Sequence, residues 1–444
     1  MKLYNTATKK LEEFKPLGDV VKIYTCGPTV YSTPHIGNYA SYIYWDLLIR
    51  TLIANGYNVK RVLNLTDVGH LVSDGDEGED KLEKGAAREG RSVWEVAERY
   101  INIYLDGFHA LNLIEPEKIC RATDYIEQDK AAVDLMTGHG FTYETSDGVY
   151  FDTSKFGGYA DFARLDLDNI KAGARVEFNS EKRNPSDFAV WKFIKPGEKH
   201  AMRWDYLGRP GYPGWHLECS TIINAELGEP IDIHTGGIDH IPVHHTNEIA
   251  QTYAISGREL AKYWLHCSFI NIDGQKISKS LGNVYTLDDL AERGFTPMDF
   301  KMWILQGHYQ GDRNFTFESL DAAKNRRLAW RNRIALTYQQ ELTGAINALD
   351  SLNNNLNSAD AFAKIDAAAN LSLDAWKDID ALFGLNLIVD TPDITNAQKD
   401  LLKKRAEARA NKDWQASDDI RHELELTGIT IKDTAAGQIW QYLN

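Results

Sequence analysis

The chain has 444 residues, a formal net charge of −15, and 43% hydrophobic against 25% charged residues. That length exceeds one ordinary domain, so two to four domains with a large buried core are expected, and the negative charge opposes indiscriminate attachment to nucleic acid. No apolar run reaches membrane-spanning length and the opening Met1-Lys2-Leu3-Tyr4 has no apolar signal region, so a cytoplasmic location is expected, where the four cysteines are candidates for metal binding or catalysis rather than a disulfide framework.

Val20 to Thr25 reads as a buried strand ending at Cys26. After a turn through Gly27, Pro28 and Pro34, helical spacing runs from Gly37 to Ala54, and Tyr57 to Leu65 returns as a strand. This is a β-α-β unit of the doubly wound type. His35 and Asn38 fall where its helix begins, and there backbone N–H groups and the helix dipole attract phosphate. No Gly-x-x-x-x-Gly-Lys-Ser/Thr loop and no Gly-x-Gly-x-x-Gly after a strand is present, which removes the ordinary P-loop and dinucleotide readings.

The acidic run Asp74 to Asp80 carries Glu79 where a calcium loop requires glycine at its sixth position, so it reads as a polar loop. An insertion follows, with the alternating run Gly148 to Asp152. Cys219 opens a helix reaching about Leu227. In the next helical stretch His244 and Glu248 are four residues apart, so both side chains share a face. Two thiolates, an imidazole and a carboxylate suit Zn²⁺, with His245 a competing ligand that geometry leaves open. No Cys-x-x-Cys is present, so spacing by itself does not establish the site; Cys120 and Cys267 read as small buried residues.

Lys276-Ile277-Ser278-Lys279-Ser280 adds a positively charged loop. An ammonium there stabilises the charge that grows on a departing pyrophosphate more than it stabilises the ground state. From Leu320 to about Leu387 the pattern is helical and suits an antiparallel bundle, with Lys324, Arg326, Arg327, Arg331 and Arg333 crowding one helix. Two further helices, Gln398 to Asn411 and Trp414 to Leu426, precede short strands at Ile429 to Lys432 and Gln438 to Trp440 around a turn at 433–437.

His35-Ile36-Gly37-Asn38 and the lysine peptide resemble, in order and separation, the two signatures of class I aminoacyl-tRNA synthetases. Nearly end to end the chain resembles the cysteinyl-tRNA synthetases. The segments that carry this are Cys26 to Tyr31, His35 to Asn38, Asn64 to Asp67, Glu181 to Pro185, Gly214 to Ser220, Asp232 to Asp239, His244 to Gln251 and Asn271 to Asn283.

The resemblance implies an α/β fold. A doubly wound (Rossmann-type) catalytic domain over 1–267 would hold a connective insertion at about 121–202. A lysine-loop junction at 268–319, an α-helical bundle at 320–395 and a small α+β C-terminal anticodon-binding unit at 396–444 would follow. Cys26, Cys219, His244 and Glu248 would bind one zinc, which also takes the substrate thiolate. Thr66 and Trp215 would contact cysteine. His35, Gly37, Asn38, Gly237, Asp239 and Lys279 would bind ATP with its Mg²⁺, and His35, Asn38, Lys276 and Lys279 would act in catalysis. Arg327, Arg331, Asp433 and Trp440 are the candidates for tRNA contact.

The expected activity is ATP-dependent formation of cysteinyl-adenylate and transfer of cysteine to tRNA(Cys), by a monomer. A cysteine ligase acting on a small sugar amine is the alternative, and the C-terminal unit counts against it. A catalytically silent RNA- or zinc-binding paralogue is a second alternative. The intact His35, Lys279 and four ligands count against that.

Overall fold

The strands Val20–Thr25 and Asn58–Leu65 lie side by side and parallel, with helix Ile36–Ala54 between them in sequence, as the two apolar runs predict. The computed structural model describes residues 1–68, 81–166, 180–195, 197–198, 200–278, 281–435 and 437–443. Lys279 and the acidic run 74–80 lie outside the described residues.

Around that pair the chain builds a five-stranded parallel sheet in the order Ala261–Cys267, Ile231–Gly237, Val20–Thr25, Asn58–Leu65, Lys118–Arg121. Of these five, the strand earliest in the chain sits in the middle, and later strands add on both sides. Such a reversal leaves a crevice beyond the carboxyl ends of the strands, where ligands bind in doubly wound folds. Thr25 and Gly237 end the two strands that flank it.

Helix Ile36–Ala54 is buried on almost every side, as befits a helix that is apolar all round. Its Asp46 is fully buried and is held by Lys301 Nζ at 2.8 Å, Arg50 Nε at 2.7 Å and the Ile114 N–H at 2.8 Å. Burial raises this carboxyl, yet the charges of Lys301 and Arg50 prevail and keep it below its ordinary range.

The insertion forms a five-stranded antiparallel sheet ordered Thr142–Thr145, Gly148–Phe151, Phe188–Phe193, Arg209–Pro213, Trp204–Tyr206. It extends past the expected limit at 202. Arg209–Pro213 pairs with Phe188–Phe193 and with Trp204–Tyr206, through a hairpin turn at Leu207 and Gly208 with φ of 52° and 74°.

The lysine peptide leaves a small sheet made of Ile270–Ile272, Gln275–Lys276 and Arg313–Phe315. Asp273 and Gly274 turn its hairpin with φ of 50° and 75°, the conformation that two-residue hairpins demand. Helices Pro297–Leu305, Phe317–Thr337, Ser358–Ala367 and Leu373–Phe383 follow. Trp330 packs between Phe362 and Trp376 in their core.

The last unit pairs helices Asn396–Ala410 and Trp414–Glu425 with the hairpin Ile429–Thr434 and Gly437–Tyr442. Its turn is tighter than the sequence suggests, because the strands continue to Thr434 and resume at Gly437. Among the described residues no helix is long and apolar enough to cross a membrane.

Candidate active site and metal centre

A cavity of about 510 Å³ opens at the crevice, and Cys26, His35, Gly37, Asn38, Trp215, Gly237, Asp239, His244 and Lys276 all line it. His35 takes the extended conformation that starts a helix, and its N–H donates to Asn38 Oδ1 at 2.9 Å. The positive end of the helix therefore faces the cavity. Gly37 permits a close approach: a Cβ there would lie 2.6 Å from Ile277 Cδ1, so the two signature peptides touch. Asn283 braces the lysine peptide, accepting from the Ser278 N–H at 2.8 Å and donating to the Lys276 carbonyl at 3.1 Å. Lys276 is exposed, with its ammonium 5.6 Å from the Phe269 ring. Asp239 sits on the short turn Ile238–His240 that follows Gly237.

Cys26, Cys219, His244 and Glu248 are buried, and their ligand atoms lie within 4.8 Å of one another. His244 Nε2 is 2.8 Å from Glu248 Oε1 and 3.5 Å from Cys219 Sγ. A short π-helical turn, Ile241–His245, leads into helix Thr246–Ser256 and keeps His244 and Glu248 on one face. A second set of four overlaps the first, made of Cys26, Glu248, His234 and His245. His245 Nε2 lies 3.4 Å from Cys26 Sγ, so distance does not separate it from His244 as a ligand.

Supporting groups surround the quartet. His234 Nε2 lies 2.7 Å from Glu248 Oε2, and His216 Nδ1 lies 3.0 Å from His244 Nδ1. His245 continues to His266 at 2.7 Å, and His266 to the Thr6 hydroxyl at 2.8 Å. Trp215 stacks on His244 with centroids 4.9 Å apart, where it forms cavity wall beside the metal candidates. Thr66 is placed differently. It is buried and donates to the Glu218 carboxylate rather than lining the cavity, while its backbone bonds to Pro28 and Val30 beside the cavity wall.

The electrostatics fit a cation. Burial pushes both thiols up, but a hydrogen bond with Cys219 and the charges of His245 and His234 bring Cys26 well below its ordinary value. Cys219 is raised by burial and by Cys26. Glu248 is held well below the carboxylate range, despite burial, by His244 and His234. His244 is raised because Glu248 outweighs its burial, whereas His245 is lowered to about 4 by burial and by His234. Two sulfurs, an imidazole and a carboxylate, buried together and rich in negative charge, match the donor set of Zn²⁺.

The RNA candidates all have partners within the chain. Arg327 is 5% exposed and bound to the Asp390 carboxylate, with Asp299 at 3.6 Å. Arg331 bonds to the Asp390 carbonyl and to Thr391 Oγ1. Trp440 is 3% exposed and packs among Leu424, Ile429 and Ile431, so no base can stack on it in this conformation. Asp433 is partly exposed but ringed by Arg405, Arg409 and Arg421.

Residues 13–325 match the family described as tRNA synthetases class I (C) catalytic domain, and residues 391–440 match the Cysteinyl-tRNA ligase anticodon binding domain. The fold is that of a class I tRNA synthetase. Cysteine--tRNA ligase 1 of Burkholderia lata is 42% identical over 461 residues, covering 98% of this chain and 96% of that protein. The cysteine--tRNA ligase of Treponema denticola is 36% identical over the whole of both chains, and that of Thermococcus gammatolerans is 34% identical over 99% of each. The chain belongs to the cysteine--tRNA ligase family. A solved structure, Mycobacterium tuberculosis methionyl-tRNA synthetase in complex with methionyl-adenylate, shares the fold at a TM-score of 0.56 and 15% identity, covering 88% of this chain and 84% of that one.

Proposed function

We propose that this chain activates cysteine with ATP and transfers it to tRNA(Cys). The observation that carries the reading is that Cys26 and His244, of the quartet with Cys219 and Glu248, line the same cavity as the helix N-terminus at His35 and the ammonium of Lys276. A thiol site and a phosphate site thus share one space.

Cys26, Cys219, His244 and Glu248 would hold one zinc, which supplies a soft Lewis acid that prefers a thiolate to a hydroxyl. Shape alone separates serine from cysteine weakly, by about 1–3 kcal/mol. Trp215 walls the amino-acid subsite. The substrate carboxylate is already ionised at neutral pH and attacks the α-phosphate without a general base. His35, Gly37 and Asn38 bind phosphate at the helix N-terminus, Gly237 and Asp239 take the adenosine, and Mg²⁺ accompanies ATP. Lys276 and Lys279 stabilise the departing pyrophosphate. The acyl group then passes to the terminal ribose of the tRNA.

In this reading residues 1–267 activate, 268–319 carry the lysine loop, 320–395 form the bundle, and 396–444 hold the anticodon end, in a cytoplasmic monomer. The test is charging of a tRNA(Cys) transcript by the purified chain. Cysteine and ATP together should yield cysteinyl-tRNA. Exchange of pyrophosphate with cysteine but no charging of any tRNA would sink the reading.

A further inference from the structure

The C-terminal hairpin meets the rest of the chain through an apolar patch, where Ala335 and Tyr338 pack with Ile429, Ile431 and Trp440, and through a polar joint beside it. Strand Gly437–Tyr442 is an edge strand, and three of its backbone groups are taken up by side chains of helix Phe317–Thr337 and the turn after it. The Gln339 amide accepts from the Trp440 N–H at 2.9 Å and donates to the Trp440 carbonyl at 3.0 Å. Asn332 Oδ1, on helix Phe317–Thr337, accepts from the Tyr442 N–H at 2.8 Å. Residues 440 and 442 present the same edge of the strand, so two amide side chains stand in for a neighbouring strand. Arg331 lies 4.9 Å from the Tyr442 ring, and the Tyr338 hydroxyl donates to the Thr391 carbonyl at 3.1 Å.

From this joint the contacts lead back toward the cavity. Arg327, on the same helix, joins Asp390 to Asp299, which caps the first turn of helix Pro297–Leu305 through Thr296. That helix carries Lys301, whose ammonium donates to Asp46 of helix Ile36–Ala54 at 2.8 Å. The latter helix begins at His35. Rigid helices and buried ion pairs thus connect the hairpin to the phosphate end of the cavity.

We propose that Asn332 and Gln339 are positioning residues for the transfer step: they fix the distance and angle between the C-terminal unit and the cavity, so that a tRNA gripped at the first presents its 3′ end to the second. The inference rests on the functional reading above. Activation of cysteine needs only the cavity and is independent of the joint, whereas transfer depends on where the far end of a long, stiff substrate is held. A misplacement of about 1 Å costs on the order of 10²-fold in a positioned reaction.

The test uses the full chain and the double variant Asn332→Ala/Gln339→Ala, assayed for cysteine-dependent ATP–pyrophosphate exchange, for charging of full-length tRNA(Cys), and for charging of an acceptor minihelix that lacks the anticodon arm. Exchange and minihelix charging should stay within about twofold of the parent, while kcat/KM for the full-length tRNA falls at least about tenfold. Unchanged charging of the full-length tRNA overturns the proposal. A parallel fall in exchange or in minihelix charging overturns it too, because the joint would then serve stability alone. A parent chain that neither exchanges with cysteine nor charges tRNA(Cys) refutes the underlying function instead.

Discussion

In the C-terminal unit Arg405 is fully buried and its guanidinium meets both oxygens of Asp433, at 2.9 and 3.0 Å, so the charge is matched by a fixed partner. Around Cys26 two overlapping quartets of thiol, imidazole and carboxylate groups converge, Cys26, Cys219, His244 and Glu248 in one and Cys26, His234, His245 and Glu248 in the other, the ligand atoms of each within 4.8 Å of one another. Paired charge of the first kind holds a structure together. Crowded donors of the second kind are satisfied by a cation that binds from outside. The contrast separates a load on stability from a load on chemistry, and substitutions at the two ends should differ accordingly.

The largest effect is expected from Cys219→Ser. Metal content should fall from one zinc per chain toward zero, and cysteine-dependent exchange should drop by more than about a hundredfold, the upper end of what losing a mere supporting residue costs. Metal analysis and exchange kinetics check it; retention of both would remove the quartet from the account. If its ammonium acts on the leaving group as proposed, Lys276→Ala should slow exchange by about 10²–10³-fold while zinc content and cysteine affinity hold.

At the other end, Arg405→Ala should leave exchange intact. It should lower the stability of the C-terminal unit by about 3 kcal/mol, followed by denaturant unfolding, since the partly exposed Asp433 keeps the loss at the low end for a broken buried pair. Loss of exchange without a change in unfolding would reverse the contrast.

The smallest effect concerns Asp129, which is fully buried on helix Ile126–Gly138 and accepts from the Thr221 hydroxyl at 2.6 Å. Burial pushes its carboxyl up from 3.8 to about 7, against that hydrogen bond. Between those values the folded chain holds a proton that the unfolded chain has lost, so this residue's contribution is full below about pH 4 and is lost as pH rises through 7. Asp129→Asn should therefore raise the Tm at pH 8 by about 2 °C and flatten its fall between pH 4 and 7. Thermal scans across that range decide it; an unchanged slope would contradict the assignment.

What could be foreseen followed from local patterns. The strand Val20–Thr25, the helix from residue 37 and the shared face of His244 and Glu248 each follow from periodicity within one segment. His234 and His216 did not stand out. Strand Ile231–Gly237 is buried on both faces, so alternation does not tell which side chain looks into the site, and the π-helical turn at Ile241–His245 brings two adjacent histidines near Cys26 where an α-helix would part them. Arg327 and Arg331 suggested an RNA-facing helix because Asp299 and Asp390 are remote in sequence. Strand Arg209–Pro213, past about 202, joins the insertion's sheet through pairing with Phe188–Phe193, which local patterns do not reveal.

The central claim is that a metal held by Cys26, Cys219, His244 and Glu248 selects the thiol substrate. Its most direct test is ATP–pyrophosphate exchange with cysteine and with serine, measured on the same preparation before chelation, after chelation and after zinc is restored. Exchange with cysteine alone, abolished by chelation and recovered with one zinc per chain, is the expected result. Equal exchange with serine, or cysteine exchange undiminished in metal-free protein, would contradict it.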